Sequence, residues 1–339
     1  MQFVIFMLIS DPCFIRENPI MKGAYPMKKL LILILALCLM LPASAALAKE
    51  YMILGTGSTG GTYYSLGGDI ASLWMKYLDV DVTATETAAS KANILAINEG
   101  EQELGLAQND MMYYAATGDA DVFAGEKIEG FATIASLYPE AVQIVVGADT
   151  DITKVSDLKG KNVSIGQIGS GTMYNAIQVL EAAGLSVDDV NAQYLSFTES
   201  AAAFQNRQVD ALFITAGLPN PSVEEAASKR PIRLLVLEDD QMKALQEKYG
   251  FYVAVTVPQG TYKGMEKDLV IPSTNAVLIC SRSLDEELVY NLTKVLFEKK
   301  GELMHAKGAE ISPEYAVEAS PVDFHPGAVR YYKEIGLMN

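Results

Sequence analysis

Ser58-Thr59-Gly60-Gly61-Thr62-Tyr63 and Gly169-Ser170-Gly171-Thr172-Met173-Tyr174 look like one device built twice. The first follows the apolar run Met52-Ile53-Leu54, and the second follows Val163-Ser164-Ile165-Gly166. Each opens into a helix-like pattern. A loop of glycine and hydroxyl residues at such a junction exposes backbone N–H groups at a helix N-terminus, where the first donors are unpaired and the dipole favours negative charge. Two such ends, one per half of the chain, predict a small carboxylate gripped between two lobes.

The repetition extends further. Ala96-Ile97-Asn98-Glu99-Gly100-Glu101-Gln102-Glu103-Leu104-Gly105-Leu106-Ala107-Gln108 parallels Ala203-Phe204-Gln205-Asn206-Arg207-Gln208-Val209-Asp210-Ala211-Leu212-Phe213-Ile214-Thr215. Each reads as helix end, polar turn, strand, then a polar residue at the strand's carboxyl end. Thr62 lies 46 residues before Gln108, and Thr172 lies 43 before Thr215. In open α/β sheets ligands bind beyond the carboxyl ends of strands, so all four segments are expected to face one cleft.

Between these segments, strand-like and helix-like patterns alternate, which predicts an α/β protein with mainly parallel sheets. Leu66, Ile70, Leu73, Trp74, Tyr77 and Leu78 mark an amphipathic helix, and Val80 to Thr85 a strand. Helices are expected over 92–98, from Tyr113 to Gly118, from Ala176 to Gly184, over 201–205, 224–228 and 285–300. Strands are expected over 104–107, 210–214 and 232–237. Trp74 reads as core, and Glu238-Asp239-Asp240 as a solvated loop or a permease contact.

Residues 27–48 read as export machinery, and residues 1–26 as an upstream segment with no role in it. Met27-Lys28-Lys29 is a basic start, Leu30 to Leu41 an apolar run, and Pro42 to Ala48 a small-residue cleavage region. Cleavage is expected after Ala48, with Ala45 as second choice, and translation is expected to begin at Met27; the intact mass of the exported protein checks the cut. Cys13 and Cys38 would leave with the leader, so Cys280 has no internal partner. Removing the leader shifts the formal charge from −16 to −18, since Arg16, Lys22, Lys28 and Lys29 leave with only Asp11 and Glu17. So acidic a chain is ill suited to nucleic acid, whose phosphates require clustered Lys and Arg. Any anionic ligand must be held by local dipoles.

Four motifs together resemble the TAXI-type solute receptors of tripartite ATP-independent periplasmic (TRAP) transporters. They are Ser58 to Tyr64; Asp157-Leu158-Lys159-Gly160-Lys161 with Gly169 to Thr172; Val257-Pro258-Gln259-Gly260-Thr261-Tyr262; and His325-Pro326-Gly327-Ala328-Val329-Arg330-Tyr331-Tyr332. The likeness spans residues 49–339. It implies a type II periplasmic-binding-protein fold, two α/β lobes with a ligand cleft at the hinge. Lobe 1 would comprise 49–140 plus 258–339, and lobe 2 would comprise 141–257. It further implies a periplasmic monomer, neither enzyme nor cofactor-dependent, that captures a small organic acid or acidic amino acid, commonly glutamate or a dicarboxylate. Delivery would be to an ion-gradient-driven membrane permease.

The candidate ligand residues are Ser58, Thr59, Gly60, Gly61, Thr62, Tyr63, Ser90, Asn93, Gln108, Tyr138, Gly169, Ser170, Gly171, Thr172, Thr215 and Gly217. Each has a plainer reading. The glycines could be tight turns, Thr62 and Thr172 helix N-caps, Gln108 and Thr215 loop hydrogen bonders, and Tyr138 core. Asp110 either accepts a ligand ammonium or caps a helix. His305 and His325 lack partners at metal spacing, and no metal is expected. A sensor docking on a membrane signalling protein uses the same capture physics. An exported hydrolase would need a base beside Ser170, and no histidine falls near it in the expected chain path.

Overall fold

The computed structural model describes residues 49–318 and 320–339; the expected leader, with Met27, Cys13, Cys38 and the cut after Ala48, lies outside them. The chain opens with β1 (Glu50–Gly55), α1 (Thr62–Tyr77), β2 (Val80–Thr85), α2 (Ser90–Glu99), β3 (Leu104–Gln108), α3 (Asn109–Thr117) and α4 (Ala120–Phe123). A long strand, β4 (Phe131–Gly147), leads out of this half. The second half comprises β5 (Asn162–Ser164), α5 (Gly171–Ala182), β6 (Asn191–Gln193), α6 (Phe197–Gln205), β7 (Ala211–Ala216), α7 (Pro221–Lys229), β8 (Ile232–Leu235), α8 (Asp239–Lys248) and β9 (Val253–Val257). Strand β10 (Leu269–Ser281) returns, and α9 (Glu286–Lys299), α10 (Pro313–Ala316) and α11 (Pro326–Glu334) complete the first half.

The expected duplication is a duplication of topology. In the first half β1 pairs in parallel with β2 and β3, and β3 runs antiparallel to β10. In the second, β5 pairs in parallel with β6 and β7, and β7 runs antiparallel to β4. Gln108 and Thr215 therefore hold equivalent places near the carboxyl ends of β3 and β7. The pairings of β4 and β10 with each other and with β8 and β9 are also antiparallel. The sheet is thus mixed rather than mainly parallel, because the two long connecting strands run antiparallel to each other and to every other strand they pair with.

Alternation along the strands places a core on each face. On β10, Ala276, Leu278 and Cys280 face α1, α9 and α11, while Val277 and Ile279 face α2 and α3. On β4, Val142, Ile144 and Val146 face α5, while Ala141 and Val145 face α6 and α7. Strands β3 and β7 are buried at every position, as expected of strands covered on both faces. Helix α1 buries Leu66, Ile70, Leu73 and Trp74, and the indole nitrogen of Trp74 donates to Leu292 O at 2.9 Å, satisfying its polar edge inside the core.

Chain passes between the halves twice. Glu140 lies opposite Thr274, and Pro139 opposite Asn275. Pro139 has no N–H to give the ladder, and the β4–β10 register shifts between Ala276 and Val277. Val257, Tyr262 and Ile271 share their core with Ala141 and Val145; we therefore propose a boundary near Thr274 on the return strand, where 258 was expected. Glu238-Asp239-Asp240 is the N-terminus of α8 rather than a loop, with Glu238 as N-cap; acidic residues suit that end. Among the described residues no helix is long and apolar enough to cross a membrane.

Candidate functional site

Between the halves lies a small cavity, with about 40 Å³ of room for the centres of water-sized molecules. From the first half it is lined by Ser58, Gly61, Thr62 and Tyr63 at the start of α1, by Ala89 and Ser90 at the start of α2, and by Gln108 closing β3. Glu140 contributes from β4. The second half supplies Ser170, Gly171 and Thr172 at the start of α5, Ser196 and Phe197 at the start of α6, and Thr215 from β7. Four helix N-termini therefore reach one small space, each bringing unpaired backbone donors and the positive end of a dipole.

The side chains of this wall are incompletely satisfied. Ser58 Oγ, Thr62 Oγ1, Gln108 Oε1 and Thr215 Oγ1 are buried and have no hydrogen-bond partner among the described residues. Thr62 is 1 % exposed, Gln108 2 % and Thr215 4 %. A buried polar group without a partner costs roughly 1–3 kcal/mol, so four around one cavity describe a surface built to be completed by something else. Ala89 adds backbone strain at the same place, with φ 66° and ψ −138°; such strain in a non-glycine residue persists only where the surroundings impose it.

No lysine, arginine or histidine is among the described lining residues. The one ionisable carboxyl is that of Glu140, which is 2 % exposed and accepts a hydrogen bond from Tyr63 Oη at 2.6 Å. Burial pushes its pKa up to about 8 despite that bond. Asp110 is raised to about 7, again by burial. Its Oδ2 accepts from Asn175 Nδ2 of α5 at 2.8 Å, and its Oδ1 from Met111 N at 2.8 Å. Asn175 Nδ2 also donates to Tyr252 Oη, which donates to Gln178 Oε1, whose amide donates to Tyr114 Oη. This network ties α3 to α5 beside the cavity and leaves Asp110 outside its wall; Asp110 serves the first turn of α3 through Met111 N, although the N-cap position is Gln108's.

Ten of the sixteen expected residues come together on the wall: Ser58, Gly61, Thr62, Tyr63, Ser90, Gln108, Ser170, Gly171, Thr172 and Thr215. The capping role open to Thr62 and Thr172 belongs to their neighbours. Gly61 is the N-cap of α1, and Ser170 Oγ caps α5 by accepting from Met173 N. The other six lie off the wall. Asn93 staples loop to strand, donating to Thr56 O and Leu106 O, each at 2.8 Å. Tyr138 is core, 0 % exposed, with Lys307 Nζ 5.8 Å from its ring centroid.

The remaining absentees serve contact between the halves or local turns. Gly60 O accepts from Ser222 Oγ at 3.1 Å, and Gly169 O accepts from Lys91 N at 3.2 Å. Thr59 N donates to Glu86 Oε1 at 3.2 Å. Gly217 packs beneath the wall, where an added Cβ would lie 2.8 Å from Lys307 Cε. His305 and His325 cap their following turns, through Lys307 N and Gly327 N, and no metal-binding group of side chains occurs among the described residues.

The expected residues omitted several of the wall, Glu140, Ala89, Ser196 and Phe197 among them. Glu140 follows Tyr138-Pro139 in an apolar stretch, where a lone acid within a buried strand was the available signal. Ala89 and Phe197 carry no chemical signature in sequence; only the positions before α2 and at the start of α6 bring them in.

The chain matches an Escherichia coli (strain K12) protein named for binding aliphatic sulfonates, 26% identical over 221 residues; the match covers 65% of this chain and 64% of that protein, just under two thirds of its length. In fold it is similar to PhnD1 of Prochlorococcus marinus (MIT 9301), solved with methylphosphonate, with a TM-score of 0.52, 12% identity, and coverage of 85% of this chain and 99% of that one. A Bordetella bronchiseptica RB50 structure superposes with a TM-score of 0.53 at 15% identity, over 85% of this chain and 83% of that one. The model of the NMT1-like family matches residues 54–336. By that match, which takes in both lobes and every wall of the cavity, the chain belongs to the NMT1-like family.

Proposed function

We propose that this protein is a periplasmic solute receptor that traps one small organic anion between its lobes and delivers it to a membrane permease. The observation that carries the reading is the set of three buried, partnerless hydroxyls, those of Ser58, Thr62 and Thr215, on the wall of a cavity ringed by helix N-termini. Neutral donors suit an anion here, because a wall without Lys or Arg must rely on hydroxyls and backbone N–H groups. We assign the anion to the carboxylate class, with glutamate and related acids first, and the permease to the ion-gradient-driven TRAP type, on the motifs at Ser58 to Tyr64 and His325 to Tyr332. The sulfonate-named relative favours a second reading, an alkanesulfonate delivered to an ATP-driven permease.

A thermal-shift screen of residues 49–339 against small carboxylates and alkanesulfonates decides between them, since a ligand of the native state raises the melting point by mass action. Thr62→Val and Thr215→Val are each expected to weaken the successful ligand by about tenfold, or ~1.4 kcal/mol, with little change in the melting point without ligand. Unchanged calorimetric affinity in both variants would remove the hydroxyls from the site.

A further inference from the structure

Resting on the reading that the cavity takes a small anion, we infer that its ligand is a zwitterion whose ammonium group is received by Glu140. The class is then amino acids or aminosulfonates, as against plain dicarboxylates or alkanesulfonates.

The wall has two chemistries. The starts of α1 and α5 present donors, through Thr62 and Thr172 and the backbone around them. Gln108 Oε1 and the Glu140 carboxyl present acceptors on the same wall. Gln108 Oε1 has no donor among the described residues. An anionic oxygen placed against it would be repelled, whereas an ammonium would satisfy it. A ligand with negative charge at one end and N–H donors at the other matches both regions at once.

Charge balance agrees. A buried carboxylate must be paired or neutral. The nearest buried cation, Lys307, lies behind the wall and is engaged by Glu310 at 2.6 Å. Other titratable groups facing Glu140 are Tyr63 on α1, Asp110 on α3, Tyr138 on its own strand, and Tyr315 on α10. Burial and Asp110 work against its ionisation, and the hydrogen bonds of Tyr63 and Gln108 and the charge of Lys307 favour it. The empty protein near neutrality therefore holds Glu140 protonated, and an arriving ammonium converts it to carboxylate. The proton leaves to solvent, so capture releases acid.

The test compares two matched pairs by calorimetry on residues 49–339, L-glutamate with glutarate and taurine with ethanesulfonate, between about pH 6 and about pH 8.5. The amino member of at least one pair should bind at least about tenfold tighter than its partner. Its affinity should rise by up to about tenfold per pH unit below the Glu140 pKa, and its heat should depend on buffer ionisation enthalpy. Glu140→Gln should erase both the preference and the pH rise; should that variant fail to fold, the parent's pH profile and buffer heats decide alone. Glutarate or ethanesulfonate binding as tightly as the amino partner, and tightening as pH falls, would overturn the inference and leave anion capture standing, with Glu140 as a proton donor. Binding of none of the four would overturn both.

Discussion

Gly171→Leu should abolish ligand capture while leaving each lobe folded. A Cβ built on Gly171 would sit 1.6 Å from Gln108 Oε1, 2.5 Å from Gln108 Cδ and 3.1 Å from Ser90 Oγ. All three atoms belong to the opposite half, so the collision exists only while the halves are together. The same logic operates in reverse at Gly60, whose Cβ would meet Ser222 Oγ at 2.2 Å and Thr198 Oγ1 at 2.9 Å. Neither glycine has a positive φ; what each provides is close approach across the seam. Leucine at 171 should displace Gln108, fill the cavity and hold the halves apart. The expected loss of affinity is a hundredfold or more, about 2.7 kcal/mol, with the unfolding free energy of the unliganded protein within about 1 kcal/mol of the parent's. Small-angle scattering should show a ligand-insensitive radius of gyration; retention of parental affinity would place the ligand elsewhere.

The second large effect is on stability against pH, with a sign opposite to common acid denaturation. Asp110 is raised from 3.8 to about 7 and Glu140 from 4.5 to about 8. Above their unfolded pKa values the unfolded chain has lost these protons and the native one still holds them. Stability is then fully present near pH 4 and falls as pH rises through about 7 and about 8. At ~1.4 kcal/mol per unit the two interacting groups account for a decline on the order of several kcal/mol. Lowered carboxyls such as Asp149 and Asp157 act in the opposite direction only at lower pH, and being exposed they count for little. Denaturant midpoints of the unliganded protein should fall between about pH 5 and about pH 8, and Asp110→Asn with Glu140→Gln should remove most of that slope. A midpoint that climbs over this range would refute the buried neutral carboxyls.

Much of this was legible in the residues. Val80 to Thr85 is β2 to the residue, because its alternation matches a half-buried strand. The paired loops, and the parallel between Gln108 and Thr215, foretold which segments meet at the cavity, since helix starts and strand ends are fixed by local glycine and hydroxyl chemistry. The connecting strands were not foreseen. Phe131 to Gly147 carries no punctuation except Pro139, and its antiparallel partner Leu269 to Ser281 is more than a hundred residues away. Pairing at that distance leaves no periodic trace. Asn93 was drawn toward the ligand by its amide and Tyr138 by its ring; the fold commits the Asn93 amide to Thr56 O and Leu106 O and buries the Tyr138 ring in the core. Glu140 escaped because its role depends on Tyr63 arriving from another helix.

Pro139 and the register shift after Ala276 sit side by side where β4 and β10 leave one half for the other. A flat ribbon folds most easily along a line where its stitching has been dropped. Here the missing stitch is a proline nitrogen and a displaced pairing, and a second displaced pairing follows between Leu278 and Ile279. On the proposed two-lobe reading, bending between the lobes would concentrate along this weakened stretch of the β4–β10 ladder.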